Sequence, residues 1–252
     1  MFKNETMNLK VWIEHYLWQG VDHFYLIDNG STDNPQDILN EYIQRGLVTV
    51  HYLPHKYQQE NLIRTVFDVE KVKDKTRWLI NCDLDEFFYG VKHKLRTAIE
   101  ELHDDKDVIY SHWRMFGSDD LVLHPPDIRT AIVHREEHLR DIQPSKYIYK
   151  PLTIKTPLQL KLHSILDENL RDIFDNVKNT DHANIDNVNI RLNHYPIQSL
   201  EFYREVKMTR GDATDPNIDN IRDMNYFYKY DKDATFLDET LKNLVENPPK
   251  DY

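Results

Sequence analysis

The sequence predicts an α/β domain on a Rossmann-like, mostly parallel central sheet, with helices on both faces and a less regular C-terminal half. Three observations predict it. Across residues 1–103, short apolar, β-rich runs alternate with stretches of helical periodicity. The runs end in acidic or polar turns, where sheets of this kind bind ligands. Hydrophobic residues make up 40% and charged residues 30% of the 252, enough to bury a core in one domain spanning residues 1–252. Residues 1–103 form the regular half and residues 104–252 the irregular one.

Leu9, Trp12, Ile13, Tyr16 and Leu17 recur at helical spacing, and Gly20 is placed to stop that helix. His23 to Asp28 (HFYLID) reads as a buried strand, and Gly30-Ser31-Thr32-Asp33 as a turn. Asp33 or Asn34 can cap the next helix, and Pro35 suits its first position. Ile38, Leu39, Tyr42 and Ile43 form its apolar stripe and Gly46 ends it. Val48 to Tyr52 is a second strand, Leu62, Ile63, Val66 and Phe67 mark a third helix, and Trp78 to Cys82 is a third strand running into Asp83. In the second half Val108 to Arg114, Lys146 to Lys150, Leu160 to Ile165 and Val188 to Tyr195 read as strands. Ser199 caps a helix reaching Met208, Arg210 to Asp223 reads as a long polar loop, and Ala234 to Asn247 reads as a C-terminal helix.

The bulk numbers exclude several classes. A net charge of −11 opposes a nucleic-acid backbone, although a bound metal can still reverse the field at one phosphate site. Cys82 is the one cysteine, so no internal disulfide can form. No run approaches the ~18 apolar residues of a membrane span, and MFKNETMNLK is neither a signal nor a transit peptide. The expectation is a soluble, cytoplasmic chain, or a piece of a larger or anchored protein, open to homo-oligomer formation. With 6 glycines, neither a dinucleotide fingerprint nor a P-loop can be written.

Three Asp-x-Asp triplets occur: Asp83–Asp85, Asp105–Asp107 and Asp231–Asp233. The second and third sit in polar runs and read as solvated surface. The first follows a buried strand and precedes Glu86-Phe87-Phe88, so the strand end delivers two carboxylates to the mouth of a sheet. Two carboxylates with open positions suit Mn²⁺ or Mg²⁺, which take oxygen ligands and accept phosphate oxygens. The plainer alternative is an aspartate capping a following helix. His163 reads as a core histidine, Trp113 as a core residue or a platform for a sugar face, and Cys82 as buried and inert.

At these residues the chain resembles glycosyltransferase family 92 and related GT-A enzymes. The resemblance rests on Lys3-Asn4-Glu5, WIEHYLWQGVDHFYLIDNGSTD and NCDLDEFF. It continues in order through WRMFGS (Trp113 to Ser118), KYIYKP (Lys146 to Pro151), LNHY (Leu192 to Tyr195), Ser199 to Phe202, Lys207 and Arg210-Gly211, covering roughly residues 3–211. The resemblance implies a GT-A fold and an inverting transfer of galactose or glucose from a UDP-sugar to an acceptor hydroxyl, with Mn²⁺ or Mg²⁺. It implies Asp83, Asp85 and His194 as metal ligands. Asn4, Glu5, Asp28 and Asn29 would lie at the nucleotide, and Lys207 and Arg210 at the leaving phosphates. Family members carry a strand ahead of the Lys-Asn-Glu motif, and here Met1 and Phe2 precede it.

The chemistry asks for more than a metal. Arg64, on the helix before the metal strand, is placed either to reach a phosphate or to lie on a solvated face. Inversion needs a carboxylate to take the acceptor proton. Asp119 and Asp120 are the candidates, with Glu136 and Glu137 behind them. Two rival functions stay open: a scaffold that binds sugar or nucleotide without turnover, and a metal-dependent nucleotidyltransferase or phosphohydrolase. The nucleotidyltransferase lacks the Gly-rich phosphate loop it would need.

Overall fold

A computed structural model describes residues 1–137, 145–169, 180–182, 189–210 and 222–252. Helices α1 (Thr6–Trp18), α2 (Gln36–Gln44) and α3 (Gln59–Val69) alternate with strands β1 (Phe24–Asp28) and β2 (Val48–Tyr52), as the periodicity predicts. Their ends follow local chemistry. Gly20 closes α1 at φ +95°, its N–H bonding the Leu17 carbonyl while Val21 N–H reaches back to Tyr16. Asp33 does not cap the helix that follows it. Its carboxylate accepts from Thr6 N–H at 2.9 Å, capping α1 from across the turn, and Pro35 stands at the cap of α2.

A continuous parallel sheet is not what forms. β1 and β2 pair in parallel, Phe24 opposite Val48, as a two-stranded sheet. After the short α4 (Val72–Lys75), β3 (Leu79–Asn81) joins a second, mixed sheet instead. That sheet also holds β4 (Glu86–Gly90), β5 (Val108–Met115), β7 (Ser145–Tyr149), β8 (Thr180–His182) and β9 (Ile190–His194). Its order is β3-β7-β5-β9-β4, with β8 alongside β5. β3 runs antiparallel to β7, β5 antiparallel to β7 but parallel to β8 and β9, and β4 antiparallel to β9. The physical reason lies in the second half of the chain. β4 and β7 are buried at all five positions, so each needs neighbours on both faces, and the second-half strands supply the pairings.

Between β1 and β3 lies a cavity of about 690 Å³, lined by Tyr25 and Ile27, Leu79 and Ile80, Val66 and Tyr16 among others. Among the described residues, one bridge reaches the free edge of β1. Phe2 pairs in parallel with Asp28, donating to the Ile27 carbonyl at 2.8 Å and accepting from Asn29 N–H at 2.9 Å.

The remaining elements correct three expectations. Leu160 to Ile165 is a tight turn closed by one bridge between its ends, with His163 exposed at its tip rather than in the core. Glu86 opens strand β4, so the Asp83–Asp85 triplet caps no helix. Residues Ala234–Leu237 form β10, antiparallel to β6 (His134–Glu136), and the C-terminal helix α9 is Thr240–Glu246. Its predecessors are α5 (Leu95–Leu102), α6 (Ile128–Ala131), α7 (Leu200–Glu205) and α8 (Met224–Asp231). Ser199 caps α7 as its sequence suggests, accepting from Phe202 N–H at 3.1 Å. Most of the Arg210 to Asp223 loop lies outside the described residues. No helix among the described residues is long and apolar enough to cross a membrane.

Candidate metal and nucleotide site

The site is assembled at the turn between β3 and β4, and α1 holds that turn. The apolar stripe of α1 packs into the main core, with Leu9 and Ile13 fully buried. Two of its members carry polar tips. Trp12 Nε1 donates to the carbonyls of Asp83 (3.0 Å) and Glu86 (3.1 Å). Tyr16 Oη donates to the Glu86 carbonyl (3.1 Å) and accepts from Phe88 N–H (2.9 Å). An aromatic ring that buries its body and bonds through its edge can fix a turn without solvent.

Strand register then brings the donors together. Glu86 on β4 lies opposite His194 on β9, and His194 lies beside Met115 on β5. Opposed residues on neighbouring strands stand about 5 Å apart at Cβ. Ligand atoms of Asp85, Glu86 and His194 consequently fall within 4.8 Å of one another, all three buried. His194 Nε2 faces Asp85 Oδ1 at 3.7 Å, its Nδ1 faces the Met115 sulfur at 3.4 Å, and the Trp113 ring lies against its ring at 4.0 Å between centroids, tilted by 38°. Trp113 is half-buried against the core, with one face spent on the histidine.

Two lysines neutralise the aspartates. Lys146, from apolar β7 and only 1% exposed, donates to Asp83 Oδ2 at 2.9 Å and stands 3.6 Å from Glu86. Gln59 donates to the other Asp83 oxygen at 3.0 Å. Lys207, 3% exposed, donates to Asp85 Oδ2 at 2.5 Å. These contacts set the charges. Burial alone would raise Asp83, but Lys146, by its charge and its hydrogen bond, and the N-terminal ammonium together outweigh it and hold the carboxyl down at about 2. Burial also opposes ionisation of Asp85, and Lys207 and His194 overcome it, holding it well below the usual carboxylate range. Glu86 has too little compensation: burial pushes it up to about 8 against the pull of Lys146, so it carries a proton at neutral pH. Burial lowers His194 despite Asp85, which leaves a neutral imidazole.

A carboxylate, a second carboxyl and a neutral imidazole with converging ligand atoms fit Mn²⁺ or Mg²⁺. Of the three residues expected as ligands, Asp85 and His194 are in this cluster. Asp83 is turned toward Lys146 and Gln59, and Glu86 completes the group. Sequence reasoning missed Glu86, Lys146 and Gln59. A lysine inside an apolar strand was a signal for Lys146, since lysines are buried only when paired. Gln59 left no such mark.

The expected nucleotide contacts are built as two loops clamped together. Asn4, at φ +53°, accepts from Thr32 N–H through its side chain and donates its own N–H to the Ser31 hydroxyl. Asp28 accepts from Ser31 N–H at 2.8 Å, and Asn29 donates to the carbonyls of Leu53 and His55. Gly30, at φ +82° and with Pro54 3.1 Å from where a Cβ would lie, is required in this turn. Arg210 bridges the first loop to the metal side. It donates to Glu5 and to the Lys3 carbonyl, close enough to Asp85 and Asp83 to feel their charge.

The other candidates lie apart from this group. Arg64 donates through Nε and Nη2 to the Leu160 carbonyl and pairs with Glu60, bracing the 160–165 turn. Asp119 and Asp120 occupy the turn after β5, both with positive φ. Asp119 accepts from the N–H groups of Val133 and His134 and faces His134 Nδ1, whereas Asp120 is exposed. Glu136 and Glu137 lend their carbonyls to Arg135. Of the triplets read as surface, Asp231 does more, accepting from Ser118 N–H at 2.8 Å. Cys82 is half-buried, donates to Tyr16 Oη, and burial raises its thiol far above the ordinary range.

Comparison with known proteins agrees with these motifs. The glycosyltransferase family 92 profile matches residues 1–247. A glycosyltransferase family 92 protein of Ricinus communis is 26% identical over 225 residues, covering 82% of this chain and 36% of its own length. A second, from Arabidopsis thaliana, is 25% identical over 124 residues, covering 46% of this chain and 20% of its own length. The chain thus spans little more than a third of the longer-matching relative. Motifs from Asn4 to Arg210 that converge on one buried acidic cluster, and a match along nearly the whole sequence, place this chain in glycosyltransferase family 92.

Proposed function

We propose that this chain transfers a hexose, galactose or glucose, from a UDP-sugar to an acceptor hydroxyl with inversion, aided by Mn²⁺ or Mg²⁺. The observation that carries this reading is the buried cluster of Asp85, Glu86 and His194 beside the Asn4–Asp33 loop pair. A nucleotide-diphosphate donor needs a holder for the base and ribose next to a holder for the phosphates, and Arg210, bonded to Glu5 and within reach of the charge on Asp85, links the loop pair to the cluster. Asp85 and His194 would hold the ion, with Asp83 or Glu86 as further ligand. When bound, the ion supplies positive charge against the diphosphate as the glycosidic bond breaks. Arg210 and Lys207 add positive charge on the same side. Trp12 and Tyr16 keep the β3–β4 turn in place during turnover, and the packing of β4 and β9 excludes water from the back of the cluster.

For the proton from the acceptor, Asp120 is the better of the two turn carboxylates, because Asp119 already accepts three contacts from Val133 and His134. The turn begins at Phe116, whose N–H donates to the His194 carbonyl, so it starts at the metal cluster. The direct assay is UDP release from UDP-galactose or UDP-glucose with Mn²⁺, with and without sugar acceptors. Release that vanishes on chelation supports the reading. Nucleotide binding without release favours a non-catalytic scaffold, and release of UMP favours phosphohydrolase chemistry.

A further inference from the structure

The metal cluster and the lysines that cover it draw on the same carboxylates. Lys207 donates to Asp85 Oδ2, an oxygen of the residue best placed to hold an ion. Its ammonium is 3% exposed, and among the described residues Asp85 is its one anionic partner, with the Phe202 ring 5.8 Å away. Lys146 differs, because its ionised partner is Asp83, which stands outside the cluster, and it keeps that partner when an ion arrives at Asp85. An ion arriving at Asp85 Oδ1, on the His194 side, would share one carboxylate with the buried ammonium on Oδ2 and draw off the charge that neutralises it. Stranding a buried charge is among the costliest events in a protein interior.

The charge count points the same way. Asp83 and Asp85 face Lys146 and Lys207, two anions against two cations. A divalent ion added alone leaves that buried group strongly positive. A diphosphate added with it supplies the missing negative charge and a new acceptor for the displaced lysine.

Building on the metal site proposed above, we infer that Lys207 is a latch that makes divalent-ion and diphosphate binding interdependent: it occupies Asp85 in the free protein and moves to the phosphates when both arrive. Such coupling is reciprocal, so each ligand tightens the other by the same factor. The latch would also keep the free protein from holding an ion when no donor is present.

The test is calorimetric titration of MnCl₂ into the full chain, alone and with saturating inorganic pyrophosphate, for wild type and Lys207→Met. Methionine fills similar volume without charge. In wild type, Mn²⁺ alone binds weakly, and pyrophosphate tightens it on the order of tenfold to a hundredfold. Because a metal–phosphate contact gives some coupling in any site, the variant decides. Lys207→Met binds Mn²⁺ alone about tenfold more tightly than wild type, and pyrophosphate then adds correspondingly less. Equal Mn²⁺ affinity in the two proteins, or weaker affinity in the variant, overturns the latch while leaving the metal site standing. No Mn²⁺ binding to wild type even with pyrophosphate overturns both. If circular dichroism shows Lys207→Met unfolded, Lys207→Gln takes its place with the same expectations.

Discussion

Single side chains in this protein carry charges that their surroundings chose. His15 is the plainest case. It is fully buried on α1, its Nε2 donates to the Phe88 carbonyl at 2.7 Å, and its other nitrogen faces Arg129. Burial first, and then Arg129, lower it from 6.5 to about 3. The folded state therefore refuses a proton that the unfolded chain accepts. Its contribution to stability is full above about pH 6.5 and is lost as pH falls toward 3. At about 1.4 kcal/mol per pKa unit the window is worth roughly 5 kcal/mol. Thermal melts between pH 7 and 4 should show a shallower loss in His15→Gln than in wild type, and equal slopes would refute this. At the metal cluster, Asp85→Asn should cut sugar-donor turnover by at least about a hundredfold with an unchanged circular dichroism spectrum, and full activity would remove Asp85 from the site. Asp85 and His194 were legible in the sequence because a strand end and a family motif marked them. Glu86 and Lys146 were not, because their roles come from register across β4, β9 and β7.

Among the elements, α1 links core to site. Its stripe was readable from spacing alone, but the sequence did not show that Trp12 and Tyr16 also bond the Asp83–Glu86 turn. Trp12→Phe keeps an aromatic ring and removes one donor from each carbonyl, leaving the Glu86 carbonyl with Tyr16 Oη and the Asp83 carbonyl with Glu86 N–H. It should cost about 0.5–1.5 kcal/mol in urea unfolding and weaken Mn²⁺ binding as the turn loosens. Unchanged stability would mean that the turn is held without the indole. The C-terminal helix shows where periodicity misleads. Leu237, Leu241 and Leu244 repeat at helical spacing, so Ala234 to Asn247 reads as one helix. Asp238 breaks it by turning inward, where buried Arg114 and Arg135 both donate to its Oδ2 at 2.7 Å. Long-range ion pairs of this kind have no local sequence signature. Gly117 reflects the same packing: a Cβ there would lie 2.6 Å from that of Ala234, at the start of β10.

In the whole molecule the alternation of helices and strands was legible, but sheet membership was not, because it depends on partners far along the chain. Local pattern makes β1, β2 and β3 look like consecutive parallel strands, whereas β7 and β9 draw β3 and β4 into a mixed sheet. The cavity beside β1 follows from that division. Since Phe24 N–H points to β2, the alternation of a strand turns Tyr25 and Ile27 N–H toward the cavity. Hydrogen exchange should be faster at Tyr25 and Ile27 than at Leu26, and far faster than along β5, which is paired on both sides. Protection of Tyr25 and Ile27 equal to that of Leu26 would show that the edge is covered. The central claim, that one buried acidic cluster holds a divalent ion against a nucleotide diphosphate, is tested most directly by anomalous diffraction from crystals soaked with Mn²⁺ and UDP. The account predicts one manganese peak ligated by Asp85 and His194, with the diphosphate on its open side and Lys207 turned to the phosphates. A manganese peak elsewhere, or a diphosphate bound away from Asp85, would contradict it.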